Sequence, residues 1–337
     1  MKKFFSILVA SILALGLMTG MVAGAEEAPA AQGVEGKNVG ICIYKFDDNF
    51  MTLYRNELQR YLEAGGASVQ VMDGKNDQAE QTNQINNFIT QGVDVLIINL
   101  VQSSAAEQIT DLCHAAGIPV VFINREPDAA EEQRWIDEGI QATYVGADAR
   151  QSGTYQGEIV LALENKGDAD GDGVVRYAMI MGDPENIDAQ YRTEFSIKAL
   201  VDAGVEVEEL FNQRGDWDQN KGQELAANAL TANGDKLDII FCNNDAMAMG
   251  AIQAIEAAGR ICNENIYLLG VDALAEALEA ISESRMTGTV FNDHLGQART
   301  ASDMAANYIN GVEVANVNMV DYVMVTPDNS QAILDLL

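Results

Sequence analysis

I-C-I-Y-K-F-D-D-N-F, residues 41–50, is the stretch on which the reading of this chain turns. A short apolar run ends abruptly among two aspartates, an asparagine and two phenylalanines. It reads as a buried strand that stops at a polar, aromatic edge. In open α/β sheets, ligands bind outside the carboxyl ends of the strands. A carboxylate beside an aromatic ring is also the pair a sugar needs: the acid takes two hydroxyls and the ring covers the apolar C–H face. The alternative is that Asp48 only caps the helix that follows.

Outward from this stretch, strand and helix signals alternate. Short β-branched runs lie at 39–44, 68–72, 93–98, 118–123, 143–145, 174–181, 237–241, 266–271 and 287–291. Amphipathic stretches of helical period separate them, among them 50–64, 77–91, 103–116, 149–164, 189–203, 218–232, 245–258 and 273–284. This pattern predicts parallel sheets built from βαβ units. The strands end on Asp47-Asp48, Asn99, Asn124-Arg125, Asn243-Asn244-Asp245, Asp272 and Asn292-Asp293. Parallel strands bring such ends to one edge of a sheet, so these residues predict a polar cleft rich in hydrogen-bonding groups.

The chain has 337 residues and a formal charge of −31. Residues 1–25 read as a secretory signal: Lys2 and Lys3, an apolar stretch from Phe4 to Met18, and Ala23-Gly24-Ala25 before Glu26. A transmembrane anchor is the alternative, but the apolar core is shorter than the ~20 residues a span needs. No cysteine lies near the cleavage point for lipid attachment. Residues 26–36 read as a flexible tail. Without Lys2 and Lys3, 18 basic residues face 51 acidic ones, a net −33. That balance excludes nucleic acid as a partner. The length suggests roughly two domains.

No glycine fingerprint, Walker loop or G-x-S-x-G is present, and the only histidines are His114 and His294. Nothing here supports an enzyme. The cysteines, Cys42, Cys113, Cys242 and Cys262, are too widely spaced for a metal pattern. They read as buried free thiols, with a Cys242–Cys262 bridge as the alternative.

D-A-D-G-D-G-V-V-R, 168–176, reproduces the first half of an EF-hand loop, with Asp168, Asp170, Asp172 and the Val174 carbonyl in ligand positions. The second half fails, since Arg176 and Met179 stand where further ligands belong. Either a remote acid completes a calcium cage or the loop is a solvated turn. Three acids this close repel one another without a cation.

From Lys37 to Asn329 the chain resembles the periplasmic galactose/glucose-binding protein family. The resemblance rests on Y-K-F-D-D-N-F (44–50), I-N-L-V (98–101), I-N-R-E-P (123–127), Y-V-G-A-D (144–148), G-D-P-E-N-I-D-A-Q-Y-R (182–192), N-N-D-A-M-A-M-G (243–250), G-V-D-A-L (270–274) and G-T-V-F-N-D (288–293). It implies a type I periplasmic binding protein: α/β, two Rossmann-like lobes with parallel sheets, joined by a three-stranded hinge. The lobes would comprise 37–146 with 293–320, and 147–292 with 321–337. The crossings would fall near 145–148, 291–294 and 320–322.

By matching motif positions, the resemblance places the sugar against Asp48, Phe50, Asn124, Asn186, Asp188, Arg192, Trp217, Asn244, Asp272 and Asn292. It implies Phe50 and Trp217 as the sandwich around a pyranose ring, and Asp48 as an acceptor for either epimer at C4. Glucose and galactose are therefore both implied. Asn186 stands where the family often has histidine. Asp188 and Arg192 are four apart on one helix face, either as a plain salt bridge or as a fork that reads vicinal hydroxyls. The family's calcium site falls on Asp168, Asp170, Asp172, the Val174 carbonyl, Arg176 and Asp238, and a guanidinium has no lone pair to give a metal.

The function implied is non-catalytic: a monomeric periplasmic receptor that hands a hexose to a membrane ABC transporter permease and presents its closed form to a chemoreceptor. The rival readings are a receptor for a pentose or an autoinducer, a sugar-sensing repressor and a hydrolase. A repressor would need a basic helix-turn-helix where the secretory signal stands.

Overall fold

The computed structural model describes residues 29–337; the segment read as a secretory signal and residues 26–28 lie outside it. The first lobe begins as β1 (Asn38–Ile43), α1 (Asn49–Ala64), β2 (Ser68–Asp73), α2 (Gln78–Gln91), β3 (Val95–Ile98), α3 (Ala106–Ala116), β4 (Val120–Ile123), α4 (Ala129–Glu138) and β5 (Ala142–Gly146). The chain then crosses into the second lobe. There it forms α5 (Ala149–Leu161), β6 (Val175–Met181), α6 (Ile187–Asp202), β7 (Val207–Arg214), α7 (Gln219–Asn233), β8 (Ile239–Cys242), α8 (Asp245–Ala257), β9 (Tyr267–Leu269), α9 (Ala275–Ser282) and β10 (Thr289–Phe291). It returns to the first lobe with α10 (His294–Ile309) and β11 (Val317–Met319). It ends in the second with β12 (Val323–Val325) and α11 (Ser330–Leu334).

The first sheet is wholly parallel, in the order β11-β5-β4-β3-β1-β2. Its inner strands are apolar on both faces because helices cover both. Ile41, Ile97, Val121 and Val145 pack with α1 and α10 on one side, while Cys42, Leu96, Ile98 and Phe122 pack with α2, α3 and Trp135 on the other. The second sheet runs β7-β6-β8-β9, parallel. Bridges Leu269↔Gly288 and Asp272↔Phe291 extend it to β10, which pairs antiparallel with β12. Both sheets reverse strand order beside their first strand, β1 against β3 and β6 against β8. Clefts form at such switch points.

Several helices start on side chains that cap them, and this matters for the site. Asp48, Asn186 and Asn244 each accept a hydrogen bond from the first turn of α1, α6 and α8.

Two features differ from expectation. Residues 29–36 are not a loose tail: Ala31 and Val34 are buried against α1, and the Ala31 amide donates to the Tyr61 carbonyl at 3.1 Å. Burial of these two apolar side chains offsets part of the freedom the short segment loses. Strand β7 was not expected, because V-E-E-L-F-N-Q-R is an edge strand with mostly exposed side chains and lacks an apolar run. All four cysteines are buried and free. Among the described residues, no helix is long and apolar enough to cross a membrane.

Candidate functional site

All ten residues singled out for sugar binding line one cavity between the lobes, together with Tyr44, Met51 and Arg125. The cavity encloses about 340 Å³ of space counted out to its mouth. Its walls are closed: Asp188 and Arg192 are each 3% exposed, Asp272 4% and Asn292 2%.

The first lobe supplies the ends of β1 and β4. Asp48 is both helix cap and cavity wall, so the two readings of it hold together. Its Oδ1 accepts from the Met51 amide at 2.7 Å, and its Oδ2 from the Tyr44 hydroxyl at 2.6 Å. Each carboxylate oxygen keeps a further lone pair for a ligand. Phe50 is held edge-on by Tyr54 and His294, with centroids 6.0 and 6.3 Å away. Asn124 sits at φ 61°, a left-handed conformation asparagine tolerates, and its Oδ1 accepts from Asn99 at 3.0 Å.

The second lobe supplies Asn186, Asp188 and Arg192 after β6, Trp217 after β7, Asn244 after β8 and Asp272 after β9. With their Oδ1 atoms spent on Asn99 and on helix caps, the Nδ2 groups of Asn124, Asn186 and Asn244 donate to no described residue. Asp188 and Arg192 are not a tight salt bridge, since they stand 3.9 Å apart. Arg192 donates instead to the Asn243 carbonyl at 2.8 Å and to the Tyr322 hydroxyl of the hinge at 3.0 Å. Its Nε is buried without a partner among the described residues. Asn292, on the second crossing, donates to Asp272 at 3.2 Å and accepts from Gln297 at 2.5 Å.

Trp217 is bulky and nonetheless left-handed, at φ 64°, following Asp216 at φ 54°. Strain of this kind is held only where the surroundings enforce it. Here Arg214 and Lys221 clamp Asp216 from both sides, and the indole is turned into the cavity.

The electrostatics are those of a buried polar chamber. Burial pushes the Asp188 carboxyl up to about 6 against the pull of Arg192 and Arg125, and raises Asp272 well above the usual carboxylate range. Burial opposes the charge on Arg192, but Tyr322, Asp272 and Asp188 outweigh it. Tyr44, Met51 and Arg125 are the wall residues that sequence reasoning missed. Arg125 directly follows Asn124 at a strand end, and that position was the available signal.

In the acidic loop, oxygens of Asp168, Asp170 and Asp238 converge within 4.8 Å. Asp238 was read as the remote acid and is fully buried. The Arg176 guanidinium lies in the same cluster: 2.8 Å from Asp172, 3.9 Å from Asp170 and 2.9 Å from Glu208. Backbone amides fill much of the remaining demand. Asp168 accepts from Gly171, Asp172 and Gly173, and Asp238 from Ala169 and Arg176. The fit to a divalent ion is therefore incomplete, with a fixed positive charge beside the acids.

Two α/β lobes closed over a polar, aromatic-walled cavity define a solute-binding protein of the hinged kind. Residues 39–313 match the periplasmic binding protein domain, and the chain belongs to that family. It is 34% identical over 278 residues to the D-galactose/methyl-galactoside binding periplasmic protein of Haemophilus influenzae, covering 81% of this chain and 82% of that one. It is also 34% identical to a putative rhizopine-binding protein of Rhizobium meliloti, covering 87% and 91%. An ABC transporter solute-binding protein from Bacillus halodurans, solved with bound myo-inositol, superposes with a TM-score of 0.79 at 30% identity, covering 90% of this chain and 99% of that one. The chain is thus a periplasmic sugar-binding protein of ABC transport, and not an enzyme.

Proposed function

We propose that the cavity takes one D-glucose or D-galactose and delivers it to the permease of an ABC transporter. One observation carries this reading: an aromatic ring from each lobe, Phe50 and Trp217, borders the same chamber as Asp48, Asp188, Asp272 and three unspent amide donors. Rings suit the faces of a pyranose. Carboxylates suit its hydroxyls, and a hydrogen bond to a charged group nets ~1.5–3 kcal/mol. A cyclitol is the second reading, favoured by the myo-inositol in the 30% identical relative. Isothermal titration against glucose, galactose, ribose, arabinose and myo-inositol tests both. The hexose reading expects one site per chain with a micromolar constant, about −8 kcal/mol. Heat with a pentose or myo-inositol and none with either hexose overturns it.

The same reading has residues 1–25 removed on export, the chain working as a monomer, and its closed form presented to a chemoreceptor as well as to the permease. In the acidic loop we infer that Arg176 serves as a tethered cation. It leaves Asp168, Asp170, Asp172, the Val174 carbonyl and Asp238 only weak purchase on calcium.

A further inference from the structure

Arg125 stands within I-N-R-E-P, yet no ligand role was read for it from the sequence. We propose that Arg125 both contacts the bound ligand and bolts the two lobes together through Asp183, so that this pair sets how long the ligand stays. The inference rests on the sugar-binding reading of the cavity and adds to it the residue that couples contact to closure.

Arg125 belongs to the first lobe, just after β4, and is 1% exposed. Its Nη1 donates to the Val101 carbonyl at 2.5 Å and lies 3.5 Å from Oδ2 of Asp183, which follows β6 in the second lobe. Its guanidinium lies over the Tyr44 ring at 4.0 Å, and the Tyr44 hydroxyl donates to Asp48. Its Nη2 is buried with no partner among the described residues, and Arg125 borders the cavity. A buried, unpaired guanidinium N–H is costly, and an oxygen of the ligand is the partner that relieves it.

Asp183 is held by its own lobe without help from Arg125. It accepts from the Glu185 amide at 3.1 Å and from Arg214 at 3.2 Å. The acceptor is therefore in place before the lobes meet. The ion pair exists only when they have met, and it is buried, where screening is weak. An interaction present in the closed form and absent from the open one slows opening and leaves encounter untouched. Opening must break the ligand contact and the bolt at one guanidinium, and the Tyr44 stack carries any shift of that group to Asp48.

Stopped-flow tryptophan fluorescence with D-galactose, and separately with myo-inositol, tests this on wild type, Asp183→Asn, Arg125→Met and the double variant. Asp183→Asn should raise the release rate about tenfold and change the association rate by less than about twofold. Arg125→Met should weaken binding further, because it loses the ligand contact as well. The double variant should match Arg125→Met alone. If Asp183→Asn does not fold, Asp183→Ser takes its place. An unchanged release rate at position 183, or additive effects in the double variant, overturns the proposal. A response to myo-inositol alone defeats the hexose reading and leaves the bolt to be judged by its release rates. A response to neither ligand overturns both.

Discussion

Trp217 rests its six-membered ring on the bare Cα of Gly182: a Cβ built there would lie 2.2–2.4 Å from three atoms of the ring. No side chain fits at position 182 while the indole stays where it is. Gly182→Ala should therefore push the ring into the cavity, at a cost of ~1–3 kcal/mol from overpacking. Titration calorimetry should show hexose affinity reduced at least about tenfold, with the melting temperature of the ligand-free protein moving only a few degrees. Unchanged affinity would mean that the indole is not part of the ligand's wall.

Asp48 does two jobs, and substitution can separate them. Asp48→Ala loses the cap of α1, about 1 kcal/mol, and also the charged acceptor. Asp48→Ser keeps a capping oxygen and drops the charge. Thermal unfolding should place the serine variant near wild type and the alanine variant below it. Calorimetry should find both severely weakened in sugar binding. Full affinity in the serine variant would reduce Asp48 to a cap.

Binding should weaken in mild acid. Asp188 takes up a proton near pH 6 because burial raises its carboxyl, with Arg192 and Arg125 opposing and Asp148 assisting. Asp272 is driven the same way. A hydroxyl donates best to the ionised form, so affinity should fall by up to about tenfold per pH unit as Asp188 is protonated below pH 6. The effect on folding runs the other way. A carboxyl whose native pKa lies above its unfolded value of 3.8 stabilises the fold most at low pH, and that contribution is lost as pH rises towards 6. Calorimetric titrations from pH 5 to 8 check this, and Asp188→Asn should flatten the profile.

Calcium dependence should hinge on Arg176. In wild type, the melting temperature in calcium and in chelator should nearly coincide. In Arg176→Gln, which removes the guanidinium and supplies an oxygen, calcium should raise it clearly. A large chelator-induced drop in wild type would show that the arginine yields to the metal.

Much of this was legible in the sequence because parallel strands write themselves plainly. An apolar run such as Ile41–Ile43 closed by Asp47-Asp48 gives the strand, its direction and the ligand edge in ten residues, and the ten chosen wall residues do share one cavity. What was hidden had no apolar signature. Strand β7 is charged and at an edge. Arg125 is a lone cation whose role depends on the opposite lobe, and no local pattern reports a partner 58 residues away. Ala31 and Val34 look like tail residues until α1 lies beneath them.

The three crossings have a consequence for the order in which the chain can fold. The first sheet is completed at its edge by β11, residues 317–319, pairing with β5, and its helical layer by α10, residues 294–309, packing on α1. Nearly the whole chain must therefore emerge before the lobe that begins it can close. Pairing across such separations is slow, because loop closure must precede any gain from contact. Until residues 294–319 are made, α1 lacks part of its cover and β5 its edge partner.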